Sequence, residues 1–177
     1  MPRPLEQIVE WCRTLSLGEA VAAWKHKTGG KAIGCFPVYV PEEILYAGGL
    51  LPVHLTGENG GSTERADTHL QSFVCSIARR TLDHGLRRDL DLLDGMLFPG
   101  SCDVARHLAG IWQRNFPERL VETVHLPQNP DSRHAADFLK GEFDRLRKVF
   151  GHLAGVRITD RQIRASIHTH DENRALI

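Results

Sequence analysis

The sequence lacks the short signatures that mark the common enzyme classes. It contains no GxGxxG, no P-loop, no HExxH and no GxSxG, so the usual nucleotide, zinc-protease and hydrolase sites have no anchor here. No stretch approaches the roughly 18 apolar residues of a membrane span. Neither charge sign is in excess, with 22 Lys and Arg against 22 Asp and Glu. That balance argues against a nucleic-acid or membrane-surface protein working by bulk electrostatics. Met1 to Glu10 carries two prolines, two glutamates and no apolar core, which does not read as a signal peptide and leads us to expect a cytoplasmic protein. The four cysteines, Cys12, Cys35, Cys75 and Cys102, form no CxxC pair. In a reducing compartment a disulfide scaffold is thereby disfavoured, leaving free thiols or ligands gathered from distant segments.

What is present is the length for one domain with a real core, 177 residues, and an alternation of strand and helix patterns. Glu6 to Leu15 has helical spacing, with Cys12 on its apolar stripe as a core residue. A second helix is expected over Gly18 to Lys27, stopped by Thr28-Gly29-Gly30. Lys31 to Phe36 reads as the first strand. Pro41-Glu42-Glu43 opens a short helix with Pro at its first position, and Gly48-Gly49 closes it. Leu50 to Leu55 is a second strand, which Pro52 assigns to an edge or a bulge. Thr56 to Thr68 is a polar loop long enough to cover a site. Leu70 to Leu82 returns to helical spacing, with Cys75 in its first turns and Gly85 as its stop. Gly95 to Phe98 and Leu120 to Leu126 are further strands. Asp131 to Leu153 is a long amphipathic helix, and Thr159-Asp160-Arg161-Gln162 is a capping box for a last one. The pattern implies an α/β fold with an open, mostly parallel sheet flanked by helices, Rossmann- or flavodoxin-like. The closing Ala175-Leu176-Ile177 carries no stop signal, and we expect the chain to continue.

The segment Leu97 to Val104 concentrates the chemistry. An apolar strand is cut by Pro99-Gly100, and Ser101-Cys102-Asp103 precedes a helical pattern. Strand, tight turn and helix start are the parts of a site at the carboxyl edge of an open sheet. Ser101 is a suitable N-cap and Asp103 a first-turn acid. Cys102 then sits at the positive end of a helix, a setting that favours the metal-binding thiolate; the alternative is a buried structural cysteine. Cys35, Cys75 and Cys102 each adjoin a strand end or a helix start, and thiolates from separate loops suit an iron–sulfur cluster. His168 and His170 project to different sides of the last helix and make a poor metal pair, so both are expected in solvent. Arg79-Arg80 and Arg87-Arg88 read as a wet helix face or, alternatively, a docking surface or a contact to a phosphorylated cofactor.

Three segments resemble the 2-hydroxyacyl-CoA dehydratase and benzoyl-CoA reductase family: Gly34 to Val53 (GCFPVYVPEEILYAGGLLPV), Phe73 to Arg79 (FVCSIAR) and Phe98 to Asp103 (FPGSCD). The FPVY form, with DGMLFP and SCDVARHLAGIW, is closer to the benzoyl-CoA reductase branch. The resemblance implies the first of two α/β domains that hold a 4Fe-4S cluster between them. It divides the chain into a helical segment (1–30), a cluster-binding α/β domain (31–130) and helices (131–177) leading to a second domain. Cys75 and Cys102 match cluster-ligand positions. Dehydratase subunits often carry Cys or Ser where this sequence has Pro37, which cannot ligate; Cys35, two residues earlier, is a doubtful substitute. Ser76, Ser101 and Asp103 are candidates for positions around the cluster or helix caps, and a proton-donor role for Glu42 or Glu43 is a minor alternative to helix-start acids.

The implied activity is low-potential electron transfer to an aromatic acyl-CoA thioester. A homologous second subunit would complete the enzyme, and a separate ATPase activator pair using ATP and Mg would drive the electrons. Alternatives are a 2-hydroxyacyl-CoA dehydratase subunit, a non-catalytic electron-transfer or assembly subunit, and a cluster-free α/β interaction domain. No nucleic-acid or membrane partner is expected.

Overall fold

The computed structural model describes residues 6–7, 10, 16–57 and 62–176. Most of the expected first helix, including Cys12, lies outside them. Helix α1 (Leu17–Thr28) starts at Ser16, whose hydroxyl accepts from Glu19 N while the Glu19 carboxylate accepts from Ser16 N. It ends at Gly29, in the left-handed conformation that a residue without a Cβ adopts freely. Strand β1 (Ala32–Cys35) follows, then the short helix α2 (Glu42–Ala47) and strand β2 (Leu51–His54). Pro41 stands just ahead of α2 as its cap rather than inside it. A 3-10 turn (Ala66–Thr68) leads to α3 (Ser76–Leu86). Strand β3 (Gly95–Pro99), helix α4 (Asp103–Asn115) and strand β4 (Leu120–Val124) come next. Helices α5 (Ala135–Ala154) and α6 (Asp160–Arg174) complete the described chain. The Thr159–Gln162 capping box at the start of α6 forms as expected.

All four strands are parallel, in the order β2-β1-β3-β4. β2 is an edge strand, which is why Pro52 is tolerated in it. Side chains alternate across the sheet with the two-residue period of a strand. Ala32, Met96 and Phe98 face one core, which α1, α3 and α4 cover through Val21, Ala78, Leu82, Leu108 and Trp112. Ile33, Cys35 and Leu97 face the other, which α2, α5 and α6 cover through Leu45, Leu146, Phe150 and the partly buried Ile163. Full burial of a leucine such as Leu82 or Leu108 contributes about 2–3 kcal/mol, so each face carries several such increments.

This order places a topological switch between β1 and β3. From β1 the chain leaves over one face toward β2; from β3 it leaves over the other toward β4. In open α/β sheets the crevice beyond the carboxyl ends of two such strands is where ligands bind. The loops at that crevice are those that follow Cys35 and Pro99.

α3 differs from expectation at both ends. Leu70 to Val74 is not helical, and Phe73, an apolar residue within the expected helix, is 85 % exposed. Gly85 does not stop the helix, which runs on to Leu86. Gly85 is there because a Cβ would meet Trp112 Cη2 at 2.5 Å, so the glycine lets α3 and α4 pack closely.

Candidate site at the carboxyl rim of the sheet

The turn after β3 is built by close approach of backbones. Gly100 N donates to Val124 O at 2.7 Å, and a Cβ at Gly100 would stand 2.7 Å from that same oxygen. Only glycine fits, and the turn delivers Ser101 and Cys102 to the rim. Cys102 itself is the N-cap of α4, its Sγ accepting from Ala105 N at 3.4 Å. Ser101, the expected cap, is exposed one residue ahead of the cap position. The reason is geometric: the extended backbone of Cys102 (φ −142°, ψ 158°) turns its side chain back over the first helical amides. Asp103 occupies the first helical position and is exposed, paired with Arg106.

Cys75 holds the equivalent place on α3. It precedes Ser76 as the N-cap residue and is exposed. Gly57, three residues beyond the end of β2, approaches Ile77 so closely that a Cβ would lie 3.1 Å from its Cα. The first turn of α3 therefore lies at the same rim as the carboxyl end of β2. Arg79, one turn further on, fastens the segment that leads into Cys75. Its Nε and Nη2 donate to the Asp67 carboxylate at 2.7 Å each, and Nη2 also reaches Thr63 Oγ1 at 3.0 Å. It is an internal clamp, not part of a wet face. A groove of about 630 Å3 runs between the loop ahead of Cys75 and the length of α4, lined by Phe73 and Val74 on one side and Asp103, Val104, His107 and Arg114 on the other; neither cysteine is among its lining residues.

Cys35 is not brought out to the rim beside Cys75 and Cys102. It ends β1 near the switch point, but its side chain enters the opposite core among Ile33, Leu45 and Leu97. Its Sγ donates to Ile33 O at 3.7 Å. Burial pushes the thiol up to about 12.

Among the described residues no three His, Cys, Asp or Glu side chains converge as a metal cage. The rim instead offers two exposed thiols at two helix N-termini on one face of the sheet. Soft sulfur donors with accessible lone pairs fit part of an iron–sulfur ligand set, which normally needs about four.

The sequence matches the family profile described as 2-hydroxyglutaryl-CoA dehydratase, D-component, over residues 37–177. The chain belongs to this family. It is 40 % identical over 160 residues to a benzoyl-CoA reductase subunit of Thauera aromatica, covering 89 % of this chain and 42 % of that protein. It is 32 % identical to the (R)-phenyllactyl-CoA dehydratase beta subunit of Clostridium sporogenes, covering 85 % and 40 %. A similar likeness, 32 % over 97 % of this chain and 46 % of the relative, links it to the (R)-2-hydroxyglutaryl-CoA dehydratase beta subunit of Acidaminococcus fermentans. The chain thus spans less than half the length of these curated relatives. It is related to components of multisubunit acyl-CoA enzymes, and its two rim cysteines lie at the edge where an open α/β sheet takes its ligands.

Two further features escaped sequence reasoning. His170, expected in solvent, is largely buried: Nδ1 lies 2.8 Å from Ser166 O, and the ring meets Tyr46 edge-on at 5.3 Å. Its one-turn offset from Ser166 was visible, but its docking against α2 depends on a contact across more than 120 residues. Glu142 is the other. It is buried, accepts from His125 N at 2.9 Å, and pairs with Arg145, which also reaches Glu122 at 2.7 Å. Burial alone would raise its pKa, but the bonds from Arg145 and His125 outweigh it and hold the carboxyl below its ordinary value. Among the described residues no helix is long and apolar enough to cross a membrane.

Proposed function

We propose that this chain is the iron–sulfur part of a benzoyl-CoA reductase-type enzyme, with Cys75 and Cys102 as two of the cluster's thiolate ligands. The observation that carries the reading is the pair of exposed N-cap cysteines on the adjacent helices α3 and α4, at the ligand-binding edge of the sheet. A bound 4Fe-4S cluster would supply low-potential electrons for an aromatic acyl-CoA thioester. The chain's own residues hold and shield that position. Ala105 N already donates to Cys102 Sγ. Ser76, Ser101 and Asp103 flank the two sulfurs, and Phe73 and Val104 offer apolar surface for excluding water. Cys35, buried on the opposite face, is left out of the ligand set.

A further thiol would come from a second domain reached through α5 and α6, following the division into 1–30, 31–130 and 131–177. A homologous second subunit would complete the assembly, and an ATPase activator pair using ATP and Mg would deliver electrons. The second reading is a 2-hydroxyacyl-CoA dehydratase subunit, favoured by the name of the matched family profile. Pro37, at a position where dehydratase subunits often carry Cys or Ser, favours the reductase.

The test is anaerobic purification of the complete assembly with iron and sulfide determination, followed by both assays. Cys75→Ala and Cys102→Ala are each expected to lower the iron content and the low-spin electron paramagnetic signal of the reduced protein. Iron at the unaltered level in both variants would overturn the ligand assignment. Dehydration of a 2-hydroxyacyl-CoA without reduction of benzoyl-CoA would replace the first reading by the second.

A further inference from the structure

The carboxyl end of the edge strand β2 carries an imidazole held in one orientation. His54 Nε2 stands 2.7 Å from Glu42 Oε2, a hydrogen bond that joins the end of β2 to the first turn of α2. A carboxylate only accepts, so Nε2 carries the hydrogen, and Nδ1 is the ring nitrogen left for other partners. His54 is also on the wall of a cavity of about 310 Å3. Its side chain is half exposed, so a molecule arriving from solvent reaches the ring. Gly57, another wall residue, approaches Ile77 in the first turn of α3, the turn that Cys75 caps. The imidazole and the Cys75 thiol therefore share one rim of the sheet.

The charged groups around this pair come from four elements. His170 on α6 brings Nε2 to 4.0 Å from the same Glu42 oxygen, while its Nδ1 donates to Ser166 O. Tyr46 on α2 meets that second ring edge-on, and Glu43, next to Glu42, is occupied by Arg174. On the cavity wall His84 is held by Asp89, which also takes Arg87. Among the described residues Glu42 pairs with two imidazoles and with no lysine or arginine. An imidazole tied to a carboxylate through one nitrogen, with the other nitrogen free for a reacting group, is the arrangement of a general acid or base.

We propose that His54 is the proton donor of the reaction, with Glu42 as the residue that positions it. The proposal rests on the reductase reading above. Reduction of an aromatic acyl thioester adds two electrons and two protons, the electrons coming from the reduced low-potential donor that the activator pair supplies. After the first electron the ring is a radical anion, and protonation at carbon traps it before the electron returns. In that step the Nδ1–H bond of the His54 imidazolium breaks, its electron pair stays on nitrogen, and a C–H bond forms on the ring. The neutral imidazole keeps its Nε2 hydrogen on Glu42 and regains an Nδ1 proton from water. The second electron and a proton from water complete the addition.

The test is steady-state reduction of benzoyl-CoA by the complete assembly, with iron content measured on every preparation. His54→Ala is expected to lower kcat about a hundredfold while KM and iron stay unchanged. Added imidazole, a diffusible donor of the same chemistry, is expected to restore part of that rate and to leave the parent unaffected. The parent's kcat is expected to fall as rising pH strips the donor of its proton, and His54→Ala to lack this alkaline limb. Glu42→Gln still accepts from Nε2 but no longer favours the imidazolium, so its limb is expected at lower pH. The proposal is overturned if His54→Ala keeps full kcat, if imidazole restores nothing, or if the alkaline limb persists in that variant. Loss of iron together with activity in His54→Ala overturns it too, since the pair is then structural. An unmoved limb in Glu42→Gln removes Glu42 from the role. A parent assembly that holds iron but reduces no benzoyl-CoA strikes the reductase reading, and this role with it; a parent that reduces it regardless of His54 strikes the donor assignment alone.

Discussion

Arg79 grips Asp67 through two parallel hydrogen bonds of 2.7 Å, and with them ties the loop before α3 to the helix it introduces. A planar guanidinium matches a carboxylate in this way, whereas an ammonium offers a single point of contact. The loop's end is Cys75, so the clamp sets where that sulfur stands. Arg79→Lys is expected to lower stability by about 1 kcal/mol and Arg79→Ala by about 2. Denaturant unfolding measures both. Limited proteolysis should show new cleavage between residues 62 and 74 in the variants, and an unchanged digestion pattern would argue that the loop is held by other contacts.

Gly100→Ala pits a methyl group against the Val124 carbonyl at 2.7 Å. Backbone cannot yield as a side-chain tip can, so the turn must shift, at a cost of about 1–3 kcal/mol. Because Cys102 lies two residues on, its alkylation rate should change while that of Cys75 stays constant. Equal rates at both cysteines would mean that the turn absorbs the methyl without moving the sulfur.

The three described cysteines should separate cleanly by reactivity. Cys75 and Cys102 are exposed, while Cys35 is buried and its thiol is held up at about 12. Near pH 8 the first two are expected to alkylate in the native protein, and Cys35 only after unfolding. Peptide mapping by mass spectrometry reads the order directly. Native-state labelling of Cys35 at the rate of Cys75 would contradict the burial described above.

Glu142 ties the carboxyl end of β4 to α5 and gives stability a pH dependence. Its folded-state pKa lies below the ordinary 4.5. The stabilisation is therefore present in full above the unfolded value and is lost as pH falls through the folded one. Glu142→Gln should cost about 2 kcal/mol at pH 7 and flatten the acid limb of the stability curve as pH falls below the ordinary carboxylate range. Parallel curves for the variant and the parent would exclude Glu142 as a source of that limb.

Much of this architecture was legible from local pattern. Strands β1 and β3 announced themselves as short apolar runs bounded by Gly, Pro and Asp, and the Thr159–Gln162 box marked the start of α6 to the residue. Pro52 narrowed β2 to an edge or a bulge, and the strand order makes it an edge. The misjudged positions are those decided by contacts distant in sequence. Phe73 has the spacing of a core residue but belongs to a loop pinned by Arg79, and Gly85 reads as a stop only until Trp112 is packed on it. At the rim, Cys102 was read at a helix start, whereas Cys75, expected within the first turns of α3, precedes that helix as its N-cap. That Cys102 caps its own helix, displacing Ser101, required the backbone angles of a turn built around Val124.

The seam between α2 and α6 has a consequence for how the molecule assembles. Arg174 meets Glu43 across 131 residues, and His170 reaches Tyr46 over nearly the same span. Closing so long a loop is entropically expensive and is repaid only once the intervening chain is ordered. The last helix is therefore expected to dock late, after the parallel strands have found their register. Weakening that seam should hasten unfolding far more than it slows folding.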